Sequence, residues 1–312
     1  MSEATIPVDL FNPGQVFACL GFLEAADVLL GDAEGGFDWS DSSRVRFQMN
    51  ASGDRNPFEV VLEFLANAEV YRCAPDGYLD PTAMNSASEQ GDDDVETSVS
   101  TILKHTESFP SREADRMALP IQLETKGNRS LFIGNWADGA SRDPFKLYAG
   151  NRSAYGIACA MLRGTRDKPQ KNQPLGNVKT LGLADLWKRN PVELTAKPFD
   201  VLTLMGGSFN FDPRGGWTAL DAGYSPNKHK EHGVGASPVV ELLGVCGMEH
   251  ARPDEYETRR VRYGVWGVPL PPMLARPALA AASVGVLLKT FRFTLDLSGK
   301  NKVVTYSQEE SI

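Results

Sequence analysis

Apolar and polar positions along this chain follow two periods, one helical and one alternating, and the helical one is clearest near the start. Between Pro13 and Leu30, Val16, Leu20, Leu23 and Leu30 fall near one stripe while Glu24 and Asp27 face away. This predicts a helix that Gly31 ends. Asn12 can cap it with its side-chain oxygen, and Pro13 suits the first position because the N–H it lacks would have no partner there. Asn56-Pro57 repeats the opening, with Glu59 three residues after Asn56, and predicts a second helix to about Val70. Further helices are expected over Asn151–Arg163 and Pro238–Met248. Alternation predicts strands at Arg44–Met49, Ala118–Glu124, Ser130–Trp136, Val201–Met205, Arg259–Val268, Leu288–Leu297 and Lys302–Ser307. Thr125–Arg129 and Ser298–Asn301 read as hairpin tips. Strands joined by hairpins, with few β-α-β alternations, predict an α+β fold of antiparallel sheet hairpins with packed helices. No internal repeat is visible.

At 312 residues the chain can bury a sizeable core, as one large domain or two. An acidic N-terminal part, 1–110, is expected to lead into a sheet-rich basic part, 111–312, as two units or as one continuous domain. Apolar residues make up 42% and charged residues 23%, the balance of an ordinary globular protein. The opening Met-Ser-Glu-Ala-Thr has neither the basic nor the apolar region of a secretory signal, and the best apolar run, Ala278–Leu288, is too short to span a bilayer. Cys19, Cys73, Cys159 and Cys246 are scattered, as buried thiols in a reducing compartment would be. A cytoplasmic location without membrane contact is expected. The net charge of −8 hides an asymmetry. Residues 1–100 hold 4 basic against 19 acidic residues, whereas Lys126–Arg189 holds 12 basic against 4 acidic. The acidic half should repel free polyanion and suits a basic protein partner; the basic stretch suits phosphate.

No phosphate-binding glycine loop, dinucleotide fingerprint, zinc-protease motif or nucleophile elbow is present, so neither catalysis nor a cofactor is expected. His229-Lys-Glu-His232 lacks nearby Cys or Asp partners, and Asp92, Asp93 and Asp94 form a charge run of the usual solvated kind, so no metal site is expected. The alternative is a metal-dependent nuclease built on those carboxylates and histidines. The basic elements carry more information. Lys126, Arg129, Arg142, Lys146, Arg152, Arg163, Arg166, Lys168 and Lys171 fall in one stretch, interleaved with Asn128, Asn151, Gln170, Asn172 and Gln173. Cations for phosphate and amides for base edges are the composition of a nucleic-acid surface, or of an ordinary positive one. Phe209, Phe211 and Trp217 flank glycines and suit either base stacking or the core. The first helical turn, with Asn12, Gly14 and Gln15, offers amides and free backbone N–H groups to an acidic ligand.

The segment Phe11-Asn-Pro-Gly-Gln15-Val-Phe-Ala-Cys-Leu-Gly-Phe-Leu-Glu-Ala-Ala-Asp27 resembles the compact large-subunit family of type I-U (I-G) CRISPR effector complexes. Lys146–Asn151, Phe209–Gly223, Val239–Leu243 and Tyr263–Leu270 extend the resemblance over most of the chain. It implies a non-catalytic Cascade subunit that contacts CRISPR RNA and target DNA beside the backbone subunits. Such a subunit checks the short PAM duplex and helps recruit the helicase–nuclease, while guide pairing supplies the rest of the specificity. Asn12, Gly14 and Gln15 are then the PAM-reading candidates. Many large subunits are longer and carry a C-terminal helical bundle. This chain ends in an expected hairpin, so a separate small subunit would supply that role. A crRNA-binding backbone subunit with an RRM-like core is the alternative within the same system.

Overall fold

The computed structural model describes residues 1–76, 78, 103–106, 118–127, 129–136, 145–148, 152–168, 176–216, 234–298 and 301–310. The chain opens with β1 (Ser2–Pro7), α1 (Pro13–Leu30), β2 (Glu34–Asp38), β3 (Arg46–Ala51) and α2 (Pro57–Asn67). The strands form an antiparallel sheet in the order β1-β3-β2, so β3 lies between the two strands that α1 connects, a split β-α-β unit. Phe47, Met49 and Ala51 of β3 point into the core beneath α1 and α2, and the residues between them face outward.

The second helix stops at Asn67, short of the expected Val70, and β4 (Glu69–Pro75) starts at once. Arg163 explains the early stop. Its guanidinium donates to Ala66 O (2.9 Å) and Ala68 O (2.5 Å), satisfying carbonyls that the helix end leaves open. β4 belongs to a second sheet with β5 (Leu103–Thr106), β6 (Ile121–Glu124) and β7 (Ser130–Ile133), in the order β5-β4-β6-β7. The β4–β5 pair is parallel, and the β6–β7 hairpin forms as the sequence predicts. Then come α3 (Ala154–Arg163), a ribbon of β8 (Thr165–Arg166) with β9 (Val178–Thr180), α4 (Leu183–Arg189) and α5 (Pro191–Ala196). A second ribbon pairs β10 (Thr203–Leu204) with β11 (Gly235–Ala236).

The last part contains α6 (Pro238–His250), β12 (Asp254–Glu257), β13 (Arg260–Trp266), α7 (Pro272–Leu279), β14 (Leu288–Ser298), β15 (Asn301–Val304) and β16 (Gln308–Glu309). They make an antiparallel sheet ordered β12-β13-β14-β15, with β16 also on β14. The architecture is α+β with mainly antiparallel sheets.

Helix α1 is apolar on every side, not on one stripe, because it runs through the centre of the molecule. Among the described residues it is the one helix long and apolar enough to cross a membrane, and 83% of it is buried, as in a core helix. Its closest neighbour is α6. A Cβ on Gly21 would collide with Leu243 O, and one on Gly247 with Phe17 O, so two backbones meet where only glycine fits. Glu24 does not face away as its spacing suggests; it is 5% exposed and held by Arg276 of α7 at 2.7 and 2.8 Å. Tyr263 of β13 donates to Leu10 O (2.7 Å), and Trp266 donates to Gly35 O (2.6 Å), tying the last sheet to the first. One buried cluster runs from Ile6 to Val304 and draws on both sides of the expected 110/111 boundary.

Candidate nucleic-acid interface

Two segments quoted for the resemblance meet in the interior. Asn12 caps α1 by accepting from Gln15 N (3.2 Å), and its amide donates to Asp212 Oδ1 (3.4 Å). Ser237 caps α6, and its own N–H donates to Asp212 Oδ2 (2.9 Å). Arg214 closes on the same carboxylate, Nε to Oδ1 at 2.8 Å and Nη2 to Oδ2 at 2.7 Å, and also donates to Phe199 O. Asp212 N donates to Glu241 Oε1 (2.9 Å). Asp212 thus gathers the starts of the two central helices, whose dipoles favour a negative charge there. Burial is the main reason the Glu241 carboxyl rises to about 7. The Asp212 N–H opposes the rise and the Asp212 charge adds to it.

This arrangement corrects the expectation for the opening motif. Asn12 is 1% and Gln15 6% exposed, and Gly14 is buried so closely that a Cβ there would strike Phe211 O. Gln15 spends its side-chain oxygen on Asp9 N (2.8 Å). No duplex edge can reach these amides in the folded chain; they satisfy buried backbone groups. The aromatic candidates are core as well. Phe209 stacks on Trp136 (5.6 Å, 17°), and Phe211 meets Phe17 edge to face (6.3 Å). Both phenylalanines are 1% exposed, so neither can stack on a base. Trp217 lies outside the described residues.

The cationic candidates separate into several groups. Lys126 and Arg129 are exposed at the β6–β7 tip. Arg166 and Lys168 are exposed on and just after β8. Arg152 is exposed before α3, about 15 Å along the helix axis from Arg163. Lys146 is half-buried over the Tyr148 ring (4.6 Å). Arg163 is committed to the α2 carbonyls, so it positions neighbouring elements and is a poor phosphate ligand. Arg142 and Lys171 lie outside the described residues, as do Asp92, Asp93, Asp94, His229 and His232.

The fold brings most of these exposed cations toward the end of α2. Arg163 joins α3 to that end, β4 leaves from it, and β4 pairs with β6 at Glu69–Glu124, immediately before Lys126. The β8–β9 ribbon leaves the end of α3, and α4 starts against Gly164 and packs along α2. About 10 Å further along α4 are Lys188 and Arg189, both exposed, followed by Lys197 after α5. Among the described residues no carboxylate pairs with Lys126, Arg129, Arg166, Lys168, Lys188, Arg189 or Lys197. Nearby carboxylates are occupied. Asp167 pairs with Lys179 (3.0 Å), Glu124 with Lys104, and Asp185 accepts from Gly182 N. Lys188, Arg189 and Lys197 were not singled out from the sequence. Their signal is the capped start Gly182-Leu-Ala-Asp185, which sets a short helix whose last turn carries Lys188-Arg189.

No family model, curated protein or solved structure matches this chain. Among the described residues, no three His, Cys, Asp or Glu side chains are placed to hold a metal ion.

Proposed function

We propose that this chain is a non-catalytic, nucleic-acid-contacting subunit of a type I CRISPR interference complex, working in the cytoplasm with CRISPR RNA, target DNA, the Cascade backbone subunits and the helicase–nuclease. The observation that carries the nucleic-acid part is the run of exposed cations without ion-pair partners, from Lys126 and Arg129 through Arg166 and Lys168 to Lys188 and Arg189. The complex itself rests on the sequence resemblance. Unpaired lysines and arginines can replace the condensed counterions of a phosphate backbone, whereas a paired cation must first give up its carboxylate. PAM reading is no longer assigned to Asn12 and Gln15. That role falls to exposed residues of the cationic surface, since Asn12 and Gln15 are buried.

The RRM-like alternative has one observation in its favour, the split β-α-β order of β1, β3 and β2. The open face of that sheet argues the other way. It shows Glu3, Thr5 and Gln48, with Gln48 bonded to Glu3 (2.9 Å), where an RRM presents aromatic side chains to bases. We therefore favour contact through the cationic surface.

The test is charge reversal of Arg166, Lys168 and Arg189 together, with binding to single-stranded RNA and duplex DNA measured over a salt series. Each lost phosphate contact should lower the slope of log K against log salt by about 0.7 for single strands and 0.9 for duplex. A folded triple variant with the wild-type slope would remove this surface from the reading. Metal-dependent cleavage by the isolated chain would favour the nuclease alternative.

A further inference from the structure

The C-terminal third of α1 separates two clefts that the nucleic-acid surface does not use. The larger, about 650 Å³, is lined by Asp27, Asp32, Glu34, Asn50 and Met273 among others. The smaller, about 230 Å³, is lined by Val28, Phe132, Glu249 and His250 among others. Arg276 lines the first and holds Glu24, which lines the second, so the clefts meet at that ion pair.

Two independent features mark this face. The first is apolar exposure. Val28 is 53%, Phe132 38%, Met273 77% and Leu274 42% exposed. Single exposed apolar residues are common on any protein, but these gather around one helix end, and methionine adapts readily to a partner's shape. The second is charge. Asp27, Asp32 and Glu34 have no cation in ion-pair contact among the described residues, and Asn50 Oδ1 accepts no hydrogen bond. Burial holds the Glu249 carboxyl up at about 7, against the pull of the Gly134 and Asn135 N–H groups and of the Arg252 charge. A further cation brought beside it would favour the ionised form.

We propose that this face docks a basic amphipathic segment of a protein partner, its apolar residues against Val28, Phe132 and Met273 and its lysine or arginine side chains in the acidic clefts. The charge decides between occupants: a polyanion is repelled here, and a neutral apolar segment would desolvate Asp27, Asp32 and Glu34, which hold hydrogen bonds at most and no ion pair among the described residues. The inference does not rest on the nucleic-acid reading.

The test uses the full chain and three labelled peptides of equal length: a helical Leu/Lys amphipath, its Leu/Glu counterpart, and an unstructured Lys/Gly/Ser peptide with the charge of the first. The Leu/Lys peptide should bind at least about tenfold more tightly than the other two, a difference of roughly 1.4 kcal/mol. Its binding should protect the end of α1 and the start of α7 from hydrogen exchange. Val28→Ser with Met273→Ser should weaken it by a similar factor, and Asp32→Asn with Glu34→Gln should weaken it and flatten its salt dependence. These positions are exposed or at the cleft rim, and an unchanged melting curve confirms folding. No binding of the Leu/Lys peptide, equal binding of either control, protection elsewhere, or full affinity in the folded Val28/Met273 variant would overturn the proposal.

Discussion

Replacing Glu241 with Gln should flatten the dependence of stability on pH. In the folded chain burial raises this carboxyl from its ordinary 4.5 to about 7. Between those values the folded chain keeps a proton that the unfolded chain has released. The stability this contributes is complete below pH 4.5 and is lost as the pH rises through 7. At about 1.4 kcal/mol per pKa unit, the loss is about 3 kcal/mol. Glutamine keeps the oxygen that accepts from Asp212 N and cannot ionise. Its amide nitrogen would sit where Oε2 now has no hydrogen bond, a cost that does not vary with pH. Urea unfolding of both proteins at pH 5, 6, 7 and 8 gives the difference. Glu249 is shifted the same way, and it cancels when the two curves are subtracted. The variant should gain about 2.5 kcal/mol relative to wild type between pH 5 and 8. A difference that stays constant over this range would mean that Glu241 ionises as a solvated carboxyl, and the picture of a dry centre beneath Asp212 would be wrong.

Asn12→Ala should cost about 1–2 kcal/mol by removing the cap, and Asn12→Ser should recover much of it. Both should leave the salt slope of nucleic-acid binding unchanged, and a changed slope in the folded Ser variant would return the opening motif to the binding surface. Arg163→Met should cost about 1–3 kcal/mol by leaving Ala66 O and Ala68 O without donors, as read from chemical denaturation. Its salt slope should fall by much less than that of Arg166→Glu, and an equal fall would identify Arg163 as a phosphate ligand.

Local signals carried the elements whose physics is local. Asn12-Pro13 and Asn56-Pro57 each start a helix with a side-chain cap, and the β6–β7 and β14–β15 hairpins fall where alternation and turn residues put them. The strand β2 was not legible, since Glu-Gly-Gly-Phe-Asp reads as a turn until Val268 and Pro269 are seen crowding Gly36. Nor was the true end of α2, which depends on a guanidinium from Arg163, about a hundred positions later. The site was misread for the same reason. An amide at a helix start looks like a reader of bases when its neighbours are unknown, and Asp212, 200 residues away, decides that Asn12 is a buried partner. The basic window was visible as charge, whereas the division into free and committed cations needed the ion pairs and carbonyls around each one.

The central pairing of α1 with α6 also has a consequence for synthesis. Asn12 and its partner Asp212 are 200 residues apart, and α6 comes later still. At about 5–20 residues per second, the ribosome needs roughly 10–40 s to make that stretch. During this interval an eighteen-residue helix without a polar face has emerged, and the helix that covers it does not yet exist. The nascent chain therefore passes through a long aggregation-exposed stage, and its first sheet cannot reach full stability before the last third of the polypeptide arrives.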